Sequence, residues 1–261
     1  MVWSMGFQHV KAEILPRAWE ESILSLAKNG RVVMTEYREK SLDISVAIEV
    51  LKPLEEPRIH LKGVVVGKLS QLFDYVDEVL EGTADWRVGK DWHYTYHERL
   101  FRYGIPSAFY TRTGEEIESG YVNQIEYMVY KLAEAPYSRR AIAVTWQAWK
   151  DTKTDSPPCT IYLFARVVDG RLCMHTHMRS NDSLKCAFMN MYAFTELQRR
   201  IAERLGVEVG YYLHIADSYH VYERDWKWFR KFVEQIESGK SERYWLTTEE
   251  YRKIAERKVG K

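Results

Sequence analysis

SPPCTIYLFARVVDGRLCMHTHMRSND, residues 156–182, holds two β-rich arms around Asp169-Gly170. An Asp-Gly pair between such arms predicts a hairpin, because both central turn positions favour positive φ and these residue types adopt it with little strain. With the tip at Asp169 and Gly170, arms of about ten residues return Arg179 to the neighbourhood of Cys159. Pro157 and Pro158 fix φ and stiffen the approach to the thiol. A free cysteine at a strand start commonly packs as a small hydrophobe. A guanidinium within a few ångström instead favours the thiolate, which makes Cys159 a candidate nucleophile.

On the C-terminal side, Met189 to Leu205 puts Ala193, Leu197, Ile201 and Leu205 on one face, is cationic at Arg199, Arg200 and Arg204, and stops at Gly206. That pattern predicts a helix. On the N-terminal side, Ala141-Ile142-Ala143-Val144-Thr145-Trp146 reads as a strand following a helix over about Val122 to Leu132. From Leu69, the residues Leu72, Phe73, Val76, Val79 and Leu80 recur at helical steps up to Gly82. Asp43 to Val50 alternates as a half-buried strand does, and Ala18 to Ala27 is an amphipathic helix with Asn29-Gly30 as its C-terminal cap signal.

The 261 residues are 46% hydrophobic and 29% charged, enough to bury a sizeable core. No repeat, low-complexity tract or composition shift marks a linker, so one domain is expected over 1–261, its motifs lying in 94–222. Lys and Arg number 38 against 37 Asp and Glu, so no overall field attracts nucleic acid or an anionic membrane, and any phosphate site must be local. Charged residues interrupt the first twenty positions, and no stretch approaches the roughly 18 apolar residues of a membrane span, which points to a cytoplasmic protein. Cys159, Cys173 and Cys186 are odd in number and lack CxxC spacing or nearby histidine pairs, which argues against a disulfide frame and a metal site.

Several polar residues could carry binding. Arg139 and Arg140 follow Ser138 at a helix-to-strand junction, where paired guanidinium groups suit a phosphate or form a solvated turn. Arg179-Ser180 adds a third guanidinium and a hydroxyl. Asn190 stands in the first turn of its helix among Phe188, Met189, Met191 and Tyr192; it either caps the helix or offers a buried amide matching a uracil edge. His220 and Tyr222, two apart on a strand, share one face and could hold a sugar hydroxyl or face solvent. Trp226, Trp228 and Phe229 read as packing residues.

Between Ser138 and Tyr222 the chain resembles the thymidylate synthase family, in which an arginine pair, a Pro-Cys nucleophile, an Arg-Ser-x-Asp loop, a helix asparagine and a His-x-Tyr pair occur in this order. Arg140 precedes Cys159 by nineteen residues, Arg179 follows it by twenty, Asn190 comes eleven later and His220 thirty after that. With Tyr94-Thr95-Tyr96-His97-Glu98-Arg99 included, the pattern is similar to a divergent archaeal-type branch. The resemblance implies an α+β fold, a mixed β-sheet with surrounding helices, paired sheet to sheet as a homodimer. It also implies conversion of dUMP to dTMP: Cys159 adds to C6 of the base, and a one-carbon unit from methylenetetrahydrofolate or another donor joins at C5. Arg179 and Ser180 would hold phosphate with Arg139 and Arg140 of the partner subunit, Asp182 the nucleotide and cosubstrate side, Asn190 the uracil edge, and His220 with Tyr222 the 3′-hydroxyl.

The departures are specific. Where the family usually has a glutamate, seven residues before the glycine ending the early helix, this chain has Tyr75. Asp74, Asp77, Glu78 and Glu98 are the nearby carboxylates, with Glu78 expected opposite the apolar stripe. Thr160 replaces a histidine after the nucleophile, Cys186-Ala187-Phe188-Met189 replaces Gly-Leu-Pro-Phe, and a charged tail from Ile254 to Lys261 replaces a short apolar one. Two other functions therefore stay open: a pyrimidine-nucleotide C5 hydroxymethylase, in which water completes the reaction, and a non-catalytic nucleotide- or RNA-binding protein. Asparagine at 190 favours uracil over cytosine.

Overall fold

A computed structural model describes residues 6–64, 71–106 and 120–259, with side chains to residue 256. In chain order the elements are β1 (Phe7–Ala12), α1 (Leu15–Asn29), β2 (Arg31–Met34), β3 (Lys40–Val50), β4 (Ile59–His60), α2 (Gln71–Leu80), α3 (Tyr96–Phe101), β5 (Tyr103–Gly104) and β6 (Tyr121–Val122). There follow α4 (Gln124–Glu134), β7 (Ile142–Val144), α5 (Ala148–Asp151), β8 (Thr160–Val168), β9 (Arg171–Met178), β10 (Asn181–Asp182), α6 (Ala187–Leu205), β11 (Glu208–Tyr222), α7 (Trp226–Glu237), β12 (Trp245–Leu246) and α8 (Thr248–Val259). The expected α+β architecture, a mixed β-sheet with surrounding helices, is the one observed.

The main sheet runs β1-β3-β11-β9-β8-β7, with β2 beside β3 and β10 beside β11. The β1/β3 and β9/β11 pairs are parallel, and β3/β11, β8/β9 and β7/β8 are antiparallel. The hairpin forms as its turn residues require: Asp169 has φ 50° and Gly170 φ 73°, the left-handed pair of a two-residue loop. Val168 pairs with Arg171 at the tip, and at the other end Arg179 N–H donates to Cys159 O at 2.8 Å.

Period two gives the sheet two different faces. One carries Leu163, Ala165, Leu172, Met174, Tyr212 and Ala216, all fully buried against a single core cluster to which α1, α4, α6 and α7 contribute. The other carries Ile142, Val144, Tyr162, Phe164 and His175, in register across three strands and only partly covered. Trp19 of α1 is fully buried and donates from Nε1 to Ser183 O at 2.8 Å, tying that helix to the loop after β10.

Most predicted elements form within a few residues of their expected ends. The helix expected over 122–132 spans Gln124–Glu134, because Val122 pairs with Tyr103 and Asn123 caps the helix through Glu126 N–H. The helix expected from Leu69 is described from Gln71; Leu69 lies outside the described residues, as do Gly260 and Lys261 of the tail. Gly82 and Gly206 take φ 69° and 66° after their helices, as C-terminal caps do. Gly30 does not: its φ is −62°, and the position needs glycine because a Cβ there would lie 2.4 Å from Leu26 O and 2.7 Å from Leu42. Phe229 is buried and Trp226 and Trp228 pack on the core, as expected of packing residues. Among the described residues, no helix is long and apolar enough to cross a membrane.

Candidate active site

A cleft of about 970 Å³ opens where the strand ends of β8, β9 and β11 meet the start of α6. The hairpin delivers Cys159 and Arg179 side by side. Arg179 then uses its fork on backbone, donating from Nε to Pro158 O at 3.0 Å and from Nη2 to Pro157 O at 2.9 Å, while Nη2 lies 3.9 Å from Cys159 Sγ. The two prolines thus present rigid carbonyls to the residue that flanks the thiol. Burial pushes the Cys159 thiol up, and the guanidinium pulls it back. The guanidinium favours the thiolate, as expected of a nearby cation, and desolvation is the larger of the two effects.

β11 makes a bulge between Ala216 and Tyr219, which turns its last residues towards the cleft. The two-residue strand β10 pairs with this segment, Asn181 opposite Tyr219 and Asp182 opposite His220. Asp182 Oδ1 accepts from Leu184 N–H at 3.0 Å and Lys185 N–H at 2.9 Å, so its carboxylate is held by the turn that starts α6. Burial nevertheless raises its pKa. Asn181 is buried and accepts from His214 at 2.9 Å, and His214 in turn accepts from Tyr212 at 3.0 Å. His220 and Tyr222 stand ring to ring at 4.8 Å on one side of the strand.

Asn190 does not cap α6; Cys186 occupies the N-cap position, and Asn190 is the fourth helical residue, 5% exposed. Its Oδ1 accepts from Tyr75 O–H at 2.5 Å, and its Nδ2 lies 3.7 Å from Met178 Sδ. Tyr75, Glu78 and Val79 of α2 line the cleft together, as residues three and four apart on a helix do. Glu78 therefore faces the cleft, not away from it: the cleft side of α2 adjoins the apolar stripe of Leu72, Val76 and Val79 instead of opposing it. Burial raises its pKa, Asp74 adds to the rise and Arg87 opposes it. Glu98 is turned to Arg99 and Lys150 and is not among the cleft residues.

Cys159, Arg179, Ser180, Asp182, Asn190, His220 and Tyr222 thus line one cleft. Arg139 and Arg140 do not join them; both are exposed between α4 and β7. Sequence reasoning missed Asp43, Trp92, His93 and Tyr37, which complete the walls. Asp43 gave no signal, since Ser41, Ser45 and Glu49 share its face of β3 and make it read as one more polar residue of an alternating strand. It is 7% exposed, its Oδ2 accepts from Ser218 O–H, and its Oδ1 has no partner among the described residues. Tyr94 and Tyr96 close the floor, with Thr160 N–H donating to the Tyr96 phenol oxygen at 3.4 Å, and burial pushes the Tyr94 phenol up to about 12.

The family model described as thymidylate synthase matches residues 73–260. A protein of Methanosarcina mazei named "Putative thymidylate synthase" is 28% identical over 228 residues, covering 87% of this chain and 95% of its own. One of the same name from Methanocaldococcus jannaschii is 31% identical over 230 residues, 85% of this chain and 95% of its own.

Proposed function

The chain belongs to the thymidylate synthase family, and from that premise we propose that it methylates dUMP at C5, using Cys159 as a covalent nucleophile. The observation that carries this reading is the convergence of Cys159, Arg179, Asn190 and the His220–Tyr222 pair on one cleft, although they are spread over 64 residues of sequence.

The Cys159 thiolate adds to C6, the C5–C6 electron pair moves towards O4, and Asn190 donates to that oxygen. Arg179 and Ser180 bind the phosphate and so fix the nucleotide with its C6 over the sulfur. His220 and Tyr222 bind the 3′-hydroxyl, and Asp182 borders the nucleotide. Glu78, with its raised pKa, takes the proton that C5 must lose. The C5–C6 double bond then reforms as the carbon–sulfur bond breaks, and the electron pair returns to Cys159.

A reduced pterin donor such as methylenetetrahydrofolate, when bound, would supply the methylene carbon and the electrons that reduce it to methyl. Residues of the cleft suit such a ring: Trp92 offers a flat aromatic face, Val79 an apolar contact, and the Glu78 carboxylate an acceptor for ring N–H groups. Arg139 and Arg140 have no role in the cleft of their own subunit. They fit a homodimer paired through the half-covered sheet face of Ile142, Val144, Tyr162 and Phe164, each pair reaching the partner's phosphate.

The test is incubation with 5-fluoro-dUMP and a one-carbon donor, followed by peptide mass spectrometry. A nucleotide adduct on Cys159, absent in Cys159→Ala, is expected; no adduct on any cysteine would refute the nucleophile assignment.

A further inference from the structure

The Asn190 carboxamide is held from both ends. Its Oδ1 takes the hydrogen of Tyr75 at 2.5 Å and its Nδ2 points one hydrogen at Met178 Sδ, 3.7 Å away. Among the described residues, Asn190 Oδ1 is the only acceptor that the Tyr75 hydroxyl meets. Burial also holds the Tyr75 phenol well above its ordinary pKa, with Cys186 and Tyr94 adding to the rise, so the hydroxyl keeps its hydrogen throughout the working pH range. A thioether sulfur accepts weakly and has no hydrogen to give.

These facts make the two orientations of the amide unequal. Turned by half a revolution, Asn190 would set Nδ2 against the phenol oxygen and leave the phenol hydrogen without an acceptor. The same turn would set Oδ1 against the sulfur, two acceptors with no hydrogen between them. An unmet buried hydroxyl alone shifts such an equilibrium roughly tenfold or more.

In the orientation observed, the amide has one lone pair on Oδ1 and one N–H on Nδ2 still free. A 4-oxo pyrimidine presents the complement, an N3–H donor beside an O4 acceptor. A 4-amino pyrimidine presents the reverse, an N3 acceptor beside an amino donor, and would need the turned amide.

We propose that Tyr75 and Met178 latch the Asn190 amide and so make Tyr75 a specificity-determining residue, admitting uracil nucleotides and rejecting cytosine nucleotides. An asparagine free to turn could serve either base, so the selection lies in the latch and not in Asn190 alone. The inference rests on the proposed function in taking a pyrimidine nucleotide as the occupant. It also gives Tyr75 a role other than proton transfer, which stays with Glu78. Tyr75 acts through Asn190 and is a positioning residue.

Calorimetric titration of the whole chain with dUMP and with dCMP, without a one-carbon donor, tests this on wild type, Tyr75→Phe and Met178→Leu. The readout is the ratio of the two dissociation constants. Wild type is expected to prefer dUMP, and Tyr75→Phe to lose roughly tenfold or more of that preference, with Met178→Leu moving the ratio the same way. A merely structural role would weaken both nucleotides alike and leave the ratio fixed. An unchanged ratio in both variants, with dUMP still bound, overturns the latch alone and leaves the proposed reaction standing. Wild type that binds neither nucleotide overturns the latch together with the reading on which it rests.

Discussion

Replacing Arg179 removes a clamp and a charge together, and two substitutions separate them. The guanidinium holds Pro157 O and Pro158 O at 2.9 and 3.0 Å. A hydrogen bond from a charged group contributes about 1.5–3 kcal/mol, and at this half-buried site the lower end applies, about 3 kcal/mol for the two. The charge acts separately on Cys159, 3.9 Å from Nη2. A unit cation and anion at that distance attract by about 1 kcal/mol in a water-like surrounding and about 4 kcal/mol at an effective permittivity near 20. Even the smaller figure changes the thiolate population about fivefold.

Arg179→Lys keeps the charge but not the planar fork, and Arg179→Met keeps neither. Both should lose stability in urea by a similar amount, since both lose the clamp. At pH 8, iodoacetamide labelling of Cys159, followed by peptide mass spectrometry with Cys173 and Cys186 as internal references, should be at least about fivefold slower in Arg179→Met than in Arg179→Lys. Equal rates in the two variants would refute the argument, because the clamp is broken in both and only the cation differs.

Other consequences are open to direct measurement. Glu78→Gln should lower turnover roughly 10²- to 10⁴-fold while the Cys159 adduct with 5-fluoro-dUMP still forms; a loss under tenfold would assign the C5 proton to another group. Burial, with His177 adding, holds the His214 imidazole down to about 3, against 6.5 when unfolded. The unfolded chain therefore binds more protons between those values, so stability is lost as pH falls from about 6.5 towards 3. His214→Gln should flatten that fall, and an unchanged slope of Tm against pH would count against it. Phe164→Asp on the half-covered sheet face should yield a monomer in sedimentation at micromolar concentration, and a wild type already monomeric there would remove the dimer reading.

The hairpin, the strand alternation and the helix over 189–205 were legible because local chemistry alone dictates them: left-handed turn residues, period two, period 3.6 and a terminal glycine. Cys159 and Arg179 could be placed together for the same reason, since a hairpin fixes its own pairing. Glu78 was misplaced because a helical wheel ranks residues by one apolar face, whereas α2 borders both the core and the cleft. Gly30 was misread because close approach to Leu26 and Leu42 demands the same residue as a left-handed cap does. The Tyr75–Asn190 contact joins residues 115 apart, and no periodicity reports on such a pair. Asp43 belongs to the same class: its partners, Ser218 and His220, come from a strand that reaches it only through the sheet.

The hairpin tip has a practical use. Val168, Asp169, Gly170 and Arg171 are exposed, and a Cβ on Gly170 would meet nothing within 4 Å. Nine residues of strand put this tip about 30 Å from the thiol. Extra chain spliced between Asp169 and Gly170 leaves the pairing of Thr160 with Met178 as it is, so an affinity tag or a surface tether could be carried there without disturbing the cleft. One residue added within either arm is a different matter: it would turn every side chain beyond it to the opposite face, and the thiol would point away from its arginine.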